Sequence, residues 1–317
     1  MSNLRKRKPQ RRRKRKNTSK KGFFIALIFI FALSGLAGYG LTNNRHLIDE
    51  ARSFISSLFN EAVVVIEGEM LVHFIDVGQG DAVLVQTAGH NVLIDGGDNH
   101  MGERLANYLR SHGVYQLSYI IATHPHADHI GGLITVLNEF YVGTVIMPDR
   151  VHTTRTFERF LDAVESNGAR VQKPVLGNTF YAGDAVFTIL IPTSYRARSL
   201  NDDSVGVRLV FGGHSFIFTG DAEAAWENEL VQSGHTLYSN VLHVGHHGST
   251  TSTTQSFLES VAPQFAVISV GAGNGFGHPH GAVVNRLQDF GARIYRTDLH
   301  GNIVFTTDGV TLDISHD

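Results

Sequence analysis

Along the first quarter of the chain the apolar residues change rhythm three times, and each rhythm predicts a different element. Gly22 to Leu41, GFFIALIFIFALSGLAGYGL, runs about 20 residues without a charge, enough at roughly 1.5 Å per helical residue to cross a hydrocarbon layer of roughly 30 Å. One transmembrane helix is expected there. Small residues from Ala37 to Gly40 also offer a site where a secretory signal would be cut. Residues 42–61 set Leu47, Ile48, Phe54, Ile55 and Leu58 at helical spacing, which predicts a short amphipathic stalk.

From residue 62 the apolar positions alternate or form short runs. MLVHFIDV at 70–77, AVLVQT at 82–87 and NVLIDGG at 91–97 read as strands, the last two separated by a turn at Ala88-Gly89-His90. ERLANYLRSHG at 103–113 has helical spacing and LSYIIATH at 117–124 is a strand again. Strand patterns near 143–148, 205–211, 215–219, 239–244, 264–270, 292–296 and 302–306 then alternate with helical ones near 131–140, 155–167, 222–233, 254–261 and 281–290. Strand hairpins mixed with covering helices predict one layered α/β domain over 62–317, with mixed rather than purely parallel sheets.

Charge divides the chain at the same place. Twelve of the 27 Lys and Arg lie in residues 1–21, which contain no acid, so the other 15 face all 29 Asp and Glu, a balance of −14 beyond the basic tail. A cluster of positive charge before the apolar span keeps that end in the cytoplasm. The reading is therefore a basic cytoplasmic tail (1–21), a span (22–41), a stalk (42–61) and a domain outside the cytoplasm, on the same side if the leader is cleaved and the protein secreted. The basic run would also suit anionic lipid or nucleic acid. A domain this acidic is no obvious polyanion binder, and bound divalent cations would offset part of its charge. With no cysteine among 317 residues, disulfides, thiolate zinc sites, a cysteine nucleophile and lipid attachment through cysteine are excluded. Ligands for a metal must come from the 18 histidines and the carboxylates.

Four such groups fall within six residues in His124-Pro-His126-Ala-Asp128-His129, directly after a strand and before Gly131-Gly132. A strand end is a rigid mount, and this spacing can serve two adjacent cations, one through the histidine pair and one through Asp128 and His129. Asp221 in Phe218-Thr219-Gly220-Asp221 closes another apolar strand, where a carboxylate can bridge two metals roughly 3.5–4 Å apart. His246-His247 in HVGHHGS end a third, and one of them should complete the second metal; His247 is preferred, which leaves His246 as a proton donor or substrate contact.

HxHxDH, the upstream Ile94-Asp95-Gly96-Gly97, TGD and HHGS together resemble the metallo-β-lactamase superfamily. More narrowly, FIDVGQGDA at 74–82, NDDS at 201–204, GHP at 277–279 and YRTDLHGNI at 295–303 resemble the hydrolase domain of ComEC-type competence proteins and its stand-alone relatives. The resemblance covers about residues 70–310 and implies an αββα four-layer sandwich with two divalent metals, zinc or manganese, at the sheet edges. By position it assigns His124 and His126 to the first metal, Asp128, His129 and His247 to the second, and Asp221 to both. It makes Asp95 a carboxylate orienting a ligand imidazole, and puts Asp76 and Asp81 in an active-site loop. Many members bring a third histidine to the first metal from a segment where this chain reads Asn201-Asp202-Asp203-Ser204, so an oxygen or water is expected there. His214 is read as a surface residue of a hairpin tip, and His278 and His280 as a possible rim of the cleft. The implied chemistry is metal-activated hydrolysis of a phosphodiester, with Asp128, Asp221 and His246 as the catalytic groups. The substrates it suggests are nucleic acid or, as in phosphorylcholine esterases, a cell-wall polymer. A binding module without activity, serving DNA uptake at the surface, is the reading from another class. No protein partner is predictable.

Overall fold

The computed structural model describes residues 68–192 and 199–317. The expected tail, span and stalk lie outside these residues. Among the described residues no helix is long and apolar enough to cross a membrane.

Among the described residues fifteen strands form two sheets. The first orders Leu312–His316 (β15), Ile303–Thr307 (β14), Met70–Phe74 (β1), Val83–Thr87 (β2), His90–Ile94 (β3), Gln116–Ile121 (β4), Tyr141–Ile146 (β5) and Arg170–Gln172 (β6). The second orders Arg293–Arg296 (β13), Phe265–Ile268 (β12), Val241–His243 (β11), His214–Phe218 (β10), Gly206–Phe211 (β9), Ala185–Leu190 (β8) and Thr179–Ala182 (β7). Each sheet changes character once. Pairing is antiparallel up to β3 in the first sheet and parallel through β4, β5 and β6; in the second it is antiparallel up to β10 and parallel through β11, β12 and β13. Parallel neighbours need long crossovers, and helices supply them.

Period-two alternation then sorts side chains into three cores. Val72, Phe74, Val83, Val85, Val92 and Ile94 from the first sheet meet Phe187, Leu209, Phe216, Phe218 and Val241 from the second between the sheets. Leu84, Leu93 and Ile120, on the opposite face of the first sheet, pack on Gly102–Ser111 (α1), Leu133–Glu139 (α3) and Arg155–Asn167 (α4). Ile217, Leu242 and Ala266 do the same for Ala224–Gln232 (α5), Gln255–Val261 (α6) and Gly281–Phe290 (α7). The result is the expected α/β four-layer order.

The expected helices and most strands recur within a few residues. The strands absent from the expectation are β6 to β8 and β15. β6 is a three-residue strand at the sheet edge and β7 has four residues, too short for a period to show. β15 pairs only with β14 and is mostly exposed.

Candidate metal centre

The candidate ligands sit at the carboxyl ends of β3, β4, β10 and β11, where each sheet switches from antiparallel to parallel. Neighbouring connections leave such a switch in opposite directions and open a crevice. His124 and His126 follow β4, and Asp128 and His129 lie on the one-turn helix Ala127–Ile130 (α2). Asp221 follows β10, and His246 and His247 follow β11 in a short 3-10 turn. Asp95 (φ 56°), His246 (φ 50°) and His247 (φ 53°) are non-glycine residues in the left-handed region, at a cost of order 1 kcal/mol each. Three such residues at one crevice mean that side-chain placement, not backbone comfort, sets this turn geometry.

The donor atoms form two groups that share Asp221. In one, His129 Nε2 is 3.2 Å and His247 Nε2 3.5 Å from Asp221 Oδ1, and Asp128 Oδ2 is 3.3 Å from His247 Nε2 and 3.8 Å from His129 Nε2. In the other, His124 Nε2 is 3.7 Å from Asp221 Oδ2 and 3.0 Å from His126 Nδ1. Within each group the donors lie within 4.8 Å of one another. His129 Nε2, His247 Nε2 and Asp221 Oδ1 are buried without a hydrogen-bond partner, a costly arrangement that a cation among them relieves. Donor type, spacing and orphaned atoms therefore fit divalent metals.

Groups behind the ligands fix which nitrogen faces forward. His129 Nδ1 lies 2.8 Å from Asp95 Oδ2, so it donates there and Nε2 is left for a metal. Asp95 also accepts from the Thr123 N–H (2.8 Å) and hydroxyl (2.7 Å). With its proton given to Asp95, the Thr123 oxygen accepts from His124 Nδ1 at 3.1 Å. Behind His247, Asp81 Oδ1 is 3.2 Å and Ser269 O 3.0 Å from Nδ1. The loop bearing Asp81 presses on the ligand turn: its N–H donates to Asp128 O, and a Cβ at Gly80 (φ 136°) would come 2.3 Å from that oxygen. Only glycine fits.

Burial works against every charge here. At Asp221 it is the largest influence and pushes the pKa up, yet His129, His247 and His124 together hold the carboxyl well below its usual range. Burial equally depresses His129 and His247, and their carboxylates outweigh it, Asp221 foremost, carrying both well above the ordinary imidazole value. His124 stays well below that value through burial and then His129. Asp81 moves down, because His243 and His247 overcome burial. At Asp95 burial prevails and the pKa is raised, although both partners of its contact with His129 then move upward. Three donors converge on the Asp95 oxygens, so its geometry is that of an acceptor.

The remaining sequence candidates fall around this centre. His246 exposes 20% of its side chain, with Nε2 3.6 Å from Asp221 Oδ2 and Nδ1 3.0 Å from Thr251 Oγ1. Ser204 lies at the rear of His124, 3.5 Å from Nδ1. Asn201 donates to Glu223 at 3.2 Å. The Ser204 contact is to the His124 nitrogen turned away from Asp221, and Asn201 Oδ1 is buried without a hydrogen-bond partner. Asp76 accepts from the Gly78 N–H and Arg104, and its N–H donates to Asn302, so it braces the loop that carries Asp81 rather than joining the donor groups. His278 stands beside the ligand turn, its ring 5.6 Å from that of His246 and 6.3 Å from that of His247; its pKa is lowered to about 4 by burial and by His247. His214, expected at a surface tip, meets Thr307 at 2.7 Å. Thr123, Glu223 and His243 contribute to the centre without having been singled out. Thr123 directly precedes the histidine motif and Glu223 stands two residues beyond Asp221, so adjacency was the available signal.

Residues 75–272 match the metallo-beta-lactamase superfamily, and the chain belongs to it. Within that class it is similar to ComE operon protein 3 of Bacillus subtilis (strain 168), 33% identical over 257 residues that cover 75% of this chain and 33% of that protein. It is 32% identical over 253 residues to competence protein ComA of Neisseria gonorrhoeae, covering 75% of this chain and 32% of the relative. The chain thus spans about a third of the length of these relatives. A point mutant of the β-hydroxylase CmlA shares the fold at a TM-score of 0.51 and 14% identity, over 84% of this chain and 60% of that one.

Proposed function

We propose that this chain is a two-metal hydrolase of phosphodiester bonds with nucleic acid as its foremost substrate, held by residues 22–41 in the membrane and acting outside the cytoplasm. The carrying observation is Asp221, whose Oδ1 faces His129 and His247 while Oδ2 faces His124. Zinc or manganese bound there supplies Lewis-acid activation of water and neutralises charge on the attacked ester. His124 and His126 would hold one cation, Asp128, His129 and His247 the other, and Asp221 both. Asp128, with 29% of its side chain exposed, orients water in the crevice. His246 Nδ1 rests near Thr251 and Glu223, which leaves Nε2 to protonate the departing oxygen. Similarity to two relatives named for competence supports nucleic acid. The −14 balance beyond residue 21 favours a second reading, cleavage of phosphodiesters in a cell-wall polymer. A binding module without turnover is disfavoured, because buried carboxylates and imidazoles in this number are expensive to maintain.

The test uses the full chain in detergent, supplied with manganese or zinc, on single- and double-stranded DNA and on bis-p-nitrophenyl phosphate. Cleavage of DNA that stops on chelation is the expected result. Turnover of the small ester with intact DNA would shift the reading to the cell wall, and no turnover of either would leave only the binding module.

A further inference from the structure

The segment that follows β12, from Val270 to His280, is braced before any substrate arrives. Asn274 is its hub: Nδ2 donates to the carbonyls of Gly271 (2.9 Å) and His278 (2.6 Å), and Oδ1 accepts from the Phe276 and His278 N–H groups, each at 3.1 Å. The Gly271 N–H donates to Gln79 Oε1 at 3.2 Å, the His280 N–H to Gly248 O at 3.0 Å, and the Thr250 N–H to His280 Nδ1 at 3.1 Å. Both ends are thereby tied to the segments that carry Asp81 and His247. On this frame Phe276, set between two glycines, leaves 67% of its surface to solvent. Its ring lies nearly parallel to His278, 23° apart with centroids at 5.7 Å, and His278 in turn neighbours His246 and His247. A short file of flat rings leads from the metal centre to an open phenyl face.

We propose that Phe276 is a stacking platform for a base of single-stranded nucleic acid, which seats the phosphodiester of a neighbouring nucleotide at the centre. The inference rests on the phosphodiesterase reading above and adds what would grip the substrate. With 13 Lys and Arg against 26 Asp and Glu in residues 62–317 the domain has no cationic excess to hold a phosphate backbone. Arginines on the elements around the centre are committed: Arg104 of α1 to Asp76, Arg150 to Asp203 and Arg286 of α7 to the carbonyls of Ser252 and Thr253. Stacking on an aromatic face needs no charge and tolerates any base. A quaternary ammonium is recognised by several ring faces enclosing it, whereas Phe276 has His278 as its one ring neighbour among the described residues. A single open face suits a flat base.

Full chain supplied with manganese is assayed on an oligothymidylate and on an abasic oligomer of equal length, as wild type, Phe276→Ala and Phe276→Trp. The platform predicts that wild type has the lower KM for the oligothymidylate. Phe276→Ala should raise that KM roughly tenfold with kcat and the abasic KM unchanged, and Phe276→Trp should restore it. Because the side chain is exposed, its loss opens no cavity, and an unchanged melting temperature checks this. Equal KM values for both oligomers in wild type, or an alanine effect of the same size on both, would overturn the platform while leaving the phosphodiesterase reading intact. No cleavage of either oligomer by wild type, with bis-p-nitrophenyl phosphate still hydrolysed, would overturn the nucleic-acid reading and the platform together.

Discussion

Histidines are buried in two places on the first sheet, and they behave in opposite ways. His73 lies on β1 and turns away from the core between the sheets, toward Tyr108 of α1 (Nδ1 to Oη 3.0 Å) and the ring of His112 at 5.0 Å. It is 1% exposed. Burial first, and His112 second, push its pKa down to about 3. His129 is equally buried, yet Asp221, Asp128 and Asp95 reverse the direction. Burial alone thus yields a neutral, passive imidazole, and three carboxylates, which follow β10, β4 and β3, turn the same residue type into a holder of protons or cations. The centre is defined by its acids as much as by its histidines.

The sharpest way to break this contrast is to remove the shared acid. Asp221→Asn keeps the shape and deletes the charge facing both donor groups, so turnover should fall by on the order of a thousandfold or more while the circular dichroism spectrum stays native. Unchanged turnover would refute the bridging role. Next in size are the carboxylates behind the imidazoles. Asp95→Asn and Asp81→Asn should each weaken metal affinity by about ten- to a hundredfold, read by competition with a chromophoric chelator.

The smallest effect belongs to His73. Its folded pKa lies below the unfolded value, so the unfolded chain binds the extra proton and stability falls as pH drops from about 6.5 toward about 3. His73→Leu should relieve that slope by about 1 kcal/mol per pH unit just below 6.5, in urea unfolding followed from pH 7 to pH 5, and leave turnover unaltered. His129 and His247 carry the opposite sign in chelated protein. Their pKa values lie above 6.5, so the stability they contribute is present below that pH and is lost as pH rises through the raised values. A His73→Leu variant with the wild-type slope would show that burial of this imidazole is not what limits stability in acid.

How much of this was legible in the chain depended on distance along it. The candidate donors were readable because His124, His126, Asp128 and His129 crowd into one turn and Asp221 and His247 each follow an apolar strand. Asp95 was readable from its place at the end of β3. The contacts behind His247 were not, since Asp81, expected only as part of an active-site loop, and Ser269 reach it from distant points of the chain, just before β2 and just after β12. The partners of Asp76 were hidden for a related reason: it sits in the expected loop, but it faces Arg104 of α1 and Asn302, which the β1–β14 pairing brings near it. Local motifs announce donor atoms, whereas tautomers and loop braces are properties of the assembled sheets.

The account stands most directly on metal content. Full chain dialysed against manganese or zinc and then against metal-free buffer should retain about two ions per chain by elemental analysis, with retention weakening as pH falls because protons compete for His129 and His247, and Asp221→Asn should retain fewer. Wild type that carries no ions at neutral pH, or that holds as many after Asp221→Asn and keeps its activity after chelation, would contradict it.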